Sequence, residues 1–328
     1  MNVEDAALCL LRNIAHPARR FTARRALASA AVMSADTPIP FSGSLVDYAE
    51  KDRSDERLDT LRNAPTASAL LLHRGQVAVD GSALLRAAPP QLASLALDDP
   101  GLVFLGLEGD GDPVFAASLR GSEHLPEGAL LDLRLQGHRL RPDELALAGR
   151  ARSLFDWHRT HRFCAACGQP SQSVQGGLKR VCRACDTEHF PRVNPVVIFL
   201  VQHDGSVLLG RGPGWPPGFY SALAGFIGPG ESPEEAATRE GFEEAGVRLS
   251  AHRYLFSQPW PFPSQLMIGM ISEAEGRDID VDETELEDAR WFTREQVAAV
   301  FDKTGDAFLR PPRTTIAHQL LRAWLADG

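Results

Sequence analysis

An α+β chain of two or three domains is what the sequence predicts, on three observations. Its 328 residues exceed the ~100–200 of one typical domain, and a hydrophobic content of 44% can fill more than one core. Short apolar stretches broken by Gly, Pro and Asp turns dominate residues 44–149, the pattern of strands. Further on, apolar runs lead to a glycine-rich loop and a capped helical segment at 225–247. The expected layout is a leader over 1–40, an N-terminal α+β domain over 41–150, a helix with a four-cysteine segment over 151–190, and a C-terminal domain over 191–328.

The leader sets Arg12, Arg19, Arg20, Arg24 and Arg25 among alanines, with Glu4 and Asp5 as its early acids. An organellar transit peptide has that composition, and a poorly ordered leader or an extended start accounts for it equally. No apolar core with a cleavage site marks a secretory signal. The longest apolar run, 196–201, falls far short of the ~18 residues of a membrane span, so no membrane association is expected and the expected location is cytoplasmic. A net charge of −9 argues against broad adhesion to nucleic acid, leaving local arginines to meet any anionic substrate. Residues 38–43, PIPFSG, mark the entry into the folded part.

Strands are expected at 69–72, 76–79, 102–107 and 113–117, with no constellation of chemical groups and no internal repeat. A helix follows over 144–161, where Leu145, Ala148, Ala151, Leu154, Phe155 and Trp157 form a packing face.

Cys164-x2-Cys167 and Cys182-x2-Cys185 then stand fourteen residues apart. Each knuckle brings two thiolates to one side of a tight turn, and the pair completes the four-sulfur shell that structural Zn2+ prefers. Disulfides are the competing reading, disfavoured by this spacing and by Cys9 being the one cysteine elsewhere. Four protein ligands leave no open position, so the zinc is structural. His161 and His189 read as surface or packing residues, and Lys179 with Arg180 is too small a basic cluster for a nucleic-acid stripe.

After Phe190, apolar runs at 194–201 and 206–210 flank the turn His203-Asp204-Gly205 and predict a hairpin, and 219–224 reads as a strand leading to Gly225. Gly225, Gly228, Pro229 and Gly230 form a loop; Ser232, Pro233 and Glu235 then supply an N-cap, an N1 proline and a capping-box acid. On the helix, Glu240 and Glu244 share a face with Glu243 beside them, and Arg239 reaches Glu235 or Glu243. Carboxylates so close repel one another, and a hard cation such as Mg2+ or Mn2+ relieves that; a solvated charged face is the plainer alternative.

Residues 257–267, SQPWPFPSQLM, place prolines at alternate positions, which predicts an extended segment displaying Trp260 and Phe262. A turn or edge packed on the core is the other reading.

The string at 225–247 resembles the Nudix box, GX5EX7REUXEEXGU, at Gly225, Glu231, Arg239, Glu240, Glu243, Glu244, Gly246 and Val247. Gly241 replaces its aliphatic residue, which costs about 1 kcal/mol in a helix and leaves a gap that Phe242 is placed to refill. With the cysteine ribbon before it and SQPWPFPxS after it, the chain from about residue 150 is similar to the NADH pyrophosphatase family of Nudix hydrolases, with Gln265 where the family has serine. The resemblance implies a Nudix α/β/α sandwich that cleaves NADH or NAD+ to nicotinamide mononucleotide and AMP, and removal of NAD caps from RNA 5′ ends by the same chemistry. It implies that Glu240, Glu244, Glu285 and the Ala224 carbonyl hold two or three Mg2+ or Mn2+ ions, with Glu243 at the metal or the water and Glu231–Arg239 as a supporting pair. Phe226 and Trp260 would sandwich the nicotinamide, and Ser257, Gln258, Pro259, Pro261, Phe262, Pro263, Ser264 and Ala317 would contact substrate. Phe190 stands where the family often has tyrosine, which leaves it stacking alone. Family members are homodimers in which this segment of one subunit completes the other's pocket. An ADP-ribose or other nucleoside diphosphate-X diphosphatase is the enzymatic alternative, and a zinc-ribbon binding module with an idle Nudix fold the alternative of a different class.

Overall fold

The short apolar stretches of the N-terminal half assemble into one sheet. In the computed structural model residues 38–51 and 53–327 are described, so Cys9 and the expected leader, save its last three residues, lie outside them. The described chain forms two units, one of residues up to Arg192 together with Pro261–Ser264, the other of Val193–Trp260 and the chain from Gln265.

In the first unit, α1 (Asp55–Arg62) starts at Ser54, whose hydroxyl accepts the Arg57 N–H. The strands are β1 (Ser68–His73), β2 (Gln76–Asp80), β3 (Ala83–Leu84), β4 (Arg86–Ala87), β5 (Leu97–Glu108), β6 (Asp112–Leu119) and β7 (Leu130–Leu131), with the 3-10 turn Pro89–Leu92 between β4 and β5. Their order is β3-β2-β1-β6-β5, with β4 on β1 and β7 on β2. Arg74 (φ 50°) and Gly75 (φ 77°) make the two-residue turn from β1 to β2, the left-handed pair whose twist suits a hairpin. Leu71, Leu92, Phe104 and Phe115 lie in its core. A short α2 (Leu133–Gln136) precedes α3 (Pro142–Thr160). The expected helix thus begins two residues earlier, because Pro142 fits the first turn and Asp143 and Glu144 suit its dipole.

The ribbon adds β8 (Ser171–Val174), β9 (Lys179–Cys182) and β10 (Glu188–His189) in the order β10-β9-β8. Its basic pair turns to structural use. Buried Arg180 donates to the Ser171 hydroxyl, the Ser171 carbonyl and Asp99, each at 2.8 Å, and Lys179 pairs with Glu188.

The second unit is built on β11 (Asn194–His203), whose apolar run is buried on both faces. It turns through Asp204 (φ 44°) and Gly205 (φ 70°) into β12 (Ser206–Arg211). Then follow β13 (Leu223–Phe226), α4 (Pro233–Ala245), β14 (Leu249–Trp260), β15 (Gln265–Ala274), β16 (Asp288–Thr293), α5 (Arg294–Phe301) and α6 (Ile316–Ala326). The order is β14-β15-β11-β12-β16, with β13 on the first half of β11. Val197, Phe199 and Val201 share a core with Ala236 and Ala237 of α4. On the other face Gly269, paired with Ile198, lets Ile316 and Leu320 of α6 come within 3.2 Å of the place a Cβ would take. The result is the α/β/α sandwich.

Three expectations are corrected. The strand placed at 219–224 runs over Leu223–Phe226, since Val196 pairs with Phe226 and draws Gly225 out of the loop into the sheet. The proline-rich segment is a hairpin and not a continuous extension: Pro259 and Trp260 end edge strand β14, Pro261–Ser264 turn, and Gln265 starts β15 opposite Trp260. The absence of a repeat also fails at the level of pairing. Strands β1, β2, β4, β6, β5 and β7 pair with one another as β11, β12, β13, β15, β14 and β16 do, including the parallel contact in the middle.

Among the described residues no helix is long and apolar enough to cross a membrane.

Candidate active site

The carboxylate cluster is assembled by one helix start and one turn. Ser232 and Glu235 form a reciprocal capping box, the hydroxyl accepting the Glu235 N–H at 3.2 Å and the carboxylate accepting the Ser232 N–H at 2.8 Å. That fixes the phase of α4, so that Glu240 and Glu244 face inward one turn apart. Glu285 comes from the turn before β16, and one oxygen from each of the three lies within 4.8 Å of the others. Three of the neighbouring acids are engaged elsewhere: Asp282 accepts from Thr284, Glu287 pairs with Arg211, and Asp288 accepts from the Tyr220 hydroxyl. Gly225 admits the cluster, for a Cβ there would fall 1.9 Å from Glu240 Oε1.

Arg239 ties the loop to the helix. Its Nε and one terminal nitrogen donate to the two oxygens of Glu231 at 2.6 and 2.9 Å. Its other terminal nitrogen reaches Glu240 at 2.8 Å and Glu243 at 2.9 Å, and the Phe226 carbonyl accepts at 3.0 Å. Arg239 and then the Gly228 N–H hold the Glu231 carboxyl down to about 2. Glu244 is in the opposite condition. Burial, with Glu240 and Glu285 beside it, pushes its carboxyl up to about 8 against the pull of the Ala224 N–H. Its Oε2 is buried with no hydrogen-bond partner.

An orphaned buried carboxylate oxygen in an all-oxygen cluster fits a hard divalent cation, which supplies the positive charge that Arg239 delivers to one side only. Ala224 lies on β13 with its N–H toward Glu244.

The expected substrate residues divide by strand register. Phe226 pairs with Val196, Val196 with Met267 and Met267 with Gln258, and Trp260 lies two residues beyond Gln258 in the same regular register. In-register partners and alternate residues share a face, so Phe226 and Trp260 both stand on the α6 side, where buried Ala317 opens that helix. Gln258, wholly buried, donates to the Thr314 carbonyl at 2.7 Å and so ties β14 to the chain entering α6. Ser257 and Pro259 alternate to the other side, Ser257 lying 3.2 Å from the Tyr254 hydroxyl. Pro261, Phe262, Pro263 and Ser264 belong to the first unit, as does exposed Phe190, with Lys179 over its ring at 5.9 Å.

Phe242 does not refill the space beside Gly241; it is exposed, with Arg248 nearby. Leu249 and Phe199 close it instead, their atoms 3.0 and 3.5 Å from where a Cβ would stand. Sequence reasoning also missed Arg152 and Ser153 of α3, which hold the carbonyls of Pro261 and Pro263, because partners about 110 residues away leave no local signal.

In the ribbon the four cysteine sulfurs lie within 4.8 Å of one another with no disulfide, the adjacent pairs 3.4–3.7 Å apart. Four converging thiols fit tetrahedral zinc. His189 Nε2 lies 3.3 Å from the Cys164 sulfur, and His161 stacks on Trp157.

Three family models match successive parts of the chain. Residues 191–311 match the NUDIX domain, 159–190 the NADH pyrophosphatase zinc ribbon domain, and 66–157 the NADH pyrophosphatase-like rudimentary NUDIX domain. The last match accounts for the repeated pairing of the two sheets. The chain is 45% identical over 213 residues to the NAD-capped RNA hydrolase NUDT12 of Homo sapiens, covering 62% of this chain and 45% of that protein. It is therefore compared with less than half of that relative's length. It is 38% identical over 217 residues to the NAD-capped RNA hydrolase NudC of Stutzerimonas stutzeri, covering 66% and 75%. With the NAD(P)H pyrophosphatase NUDT13, mitochondrial, of Homo sapiens it shares 36% identity over 287 residues, covering 80% and 78%. With its cysteine ribbon, its carboxylate box and matches that cover 75% and 78% of the last two relatives, the chain belongs to the NADH pyrophosphatase and NAD-capped RNA hydrolase family of the Nudix hydrolases.

Proposed function

We propose that this protein hydrolyses the pyrophosphate bond of NADH or NAD+ to nicotinamide mononucleotide and AMP, and that it removes NAD caps from RNA 5′ ends by the same reaction. The observation that carries the reading is the convergence of Glu240, Glu244 and Glu285 with the Glu244 Oε2 buried and unpartnered. The names of the relatives support the choice of dinucleotide.

Glu240, Glu244 and Glu285, with the Ala224 carbonyl, would hold Mg2+ or Mn2+. Such cations, when bound, offset the charge of a pyrophosphate and acidify water. Around them Arg239 keeps Glu231, Glu240 and the end of β13 in fixed relation, so that the strand bearing Gly225 and the loop after it stay against α4. Either Glu243 or Glu244 accepts the proton of the attacking water. Phe226 and Trp260, on the α6 face, would stack on the nicotinamide ring beside Ala317. The zinc in Cys164, Cys167, Cys182 and Cys185 would hold the ribbon together without entering the reaction. Homodimerisation, implied by the family resemblance alone, and a cytoplasmic site of action, expected from the sequence, complete the reading; light scattering on the purified protein tests the first.

Purified protein with Mg2+ or Mn2+ should release nicotinamide mononucleotide from NADH or NAD+, and failure to do so with either overturns the proposal. Parallel turnover of NAD-capped RNA and the free dinucleotide at matched concentration ranks the two substrates. Trp260→Ala separates the ADP-ribose alternative: removing a stacking partner worth about 1–3 kcal/mol should lower kcat/KM for NADH by about tenfold or more and leave ADP-ribose little changed.

A further inference from the structure

The tip that joins β14 to β15, Pro261–Ser264, belongs to the first unit although both its strands belong to the second. Helix α3 grips it along one face. Gly149, Arg152 and Ser153 fall at i, i+3 and i+4, so their side chains meet the same neighbour. At Gly149 a Cβ would lie 3.3 Å from Pro261 Cγ and 2.9 Å from Phe41 Cδ1, which makes the missing side chain the seat of the buried proline. The Arg152 guanidinium donates to the Pro261 carbonyl, and its Nε donates to the Gly75 carbonyl at 3.1 Å, bracing it against the β1–β2 turn. The Ser153 hydroxyl donates to the Pro263 carbonyl at 3.3 Å. The Phe262 ring stands edge-on to Phe41, centroids 5.9 Å apart, with Arg152 over it at 4.5 Å and Arg134 at 4.9 Å.

A four-residue tip closed by the pair Trp260–Gln265 frays at its end unless something holds it. Here the held atom is the carbonyl of the residue that directly follows Trp260. Stacking on a ring depends on where that ring stands, and displacements of about 1 Å are felt in turnover.

We propose that Arg152, assisted by Ser153 and by the seat that Gly149 gives Pro261, is a positioning residue for the hydrolase reaction. It fixes the hairpin tip and through it the Trp260 ring, and so helps set the preference for a nicotinamide-bearing dinucleotide. The inference rests on the proposed function, in which Trp260 stacks on the nicotinamide.

The full-length chain serves for the test, with Arg152→Ala, Arg152→Lys and Gly149→Leu compared by hydrogen exchange over residues 254–266 and by kinetics on NADH and ADP-ribose. In Arg152→Ala the amides at the ends of β14 and β15 should lose protection, and kcat/KM for NADH should fall about tenfold, mainly through KM, with ADP-ribose within about twofold of the parent. Arg152→Lys should recover part of both, since an ammonium still donates to the Pro261 carbonyl. Gly149→Leu, which displaces Pro261 without removing the arginine, should reproduce the Arg152→Ala shift and stands in for it if that variant does not fold. Unchanged exchange, or loosened exchange with an unchanged NADH to ADP-ribose ratio, overturns the proposal. A parent protein inactive on NADH overturns the proposed function instead, and the exchange data then decide the anchoring alone.

Discussion

The two Nudix-type sheets of this chain are paired alike and charged differently. In the second, the strand that pairs with the first half of the central strand leads into the thirteen residues of α4. In the first, the equivalent β4 leads only into the 3-10 turn Pro89–Leu92, whose Leu92 is buried in the core. The buried acid of the first unit, Glu144 of α3, is met by Arg86 at 3.4 Å, by Arg141 at 3.0 Å and by the Leu84 N–H at 3.1 Å. In the second, Glu244 is buried against two other carboxylates with one oxygen unpartnered. The sheet is therefore a scaffold indifferent to chemistry. What differs is a helix that brings carboxylates together and leaves one Glu244 oxygen without a protein partner, and the proposed activity rests on that helix.

Substituting the two buried acids is the most direct way to break this contrast. Glu244→Gln should reduce metal-dependent turnover of NADH by at least about a hundredfold, the upper range for residues that merely support a metal ligand. Steady-state kinetics measures it, and activity near that of the parent would favour a binding module with an idle hydrolase fold. Glu144→Gln should leave turnover per folded molecule intact and destabilise the first unit by about 2 kcal/mol, the value of hydrogen bonds to charged groups, read in denaturant melts.

The pH dependence sharpens the same contrast. The folded Glu244 carboxyl is pushed up to about 8 from an ordinary 4.5, so between these values the folded chain keeps a proton that the unfolded chain has released. Stability of metal-free protein should accordingly fall as pH rises from about 5 to about 8. Thermal unfolding in chelator checks this; adding Mg2+ or Mn2+ at pH 8 should restore Tm, and Glu244→Gln should flatten the slope. The smallest effect concerns Gly241. Alanine gains about 1 kcal/mol of helix propensity but must move Leu249, 3.0 Å from its methyl, so the net change should stay below about 1 kcal/mol. A larger loss would mean that Leu249 cannot yield.

Much of the site was legible because its signals are local. The capping box at Ser232–Glu235, the four-apart Glu240 and Glu244, the Asp204-Gly205 turn and the paired knuckles each depend on residues within a few positions of one another. Glu285 was different. Composition offered five neighbouring acids, and only a resemblance chose among them before the turn at 282–285 brought that one to the cluster. Phe242 was wrongly expected to fill the space at Gly241, since helical spacing says nothing about a leucine arriving from the next strand.

By itself the sequence determined the helix start, the spacing of its carboxylates and the four-thiol ribbon, because backbone geometry converts short intervals directly into shared faces. Tertiary structure alone decided which distant acid joins them, that Phe226 and Trp260 stand on one face of the sheet, and that the first half repeats the pairing of the second. The reason is that strand partners are selected by packing across long stretches of chain, and many unlike sequences satisfy the same pairing.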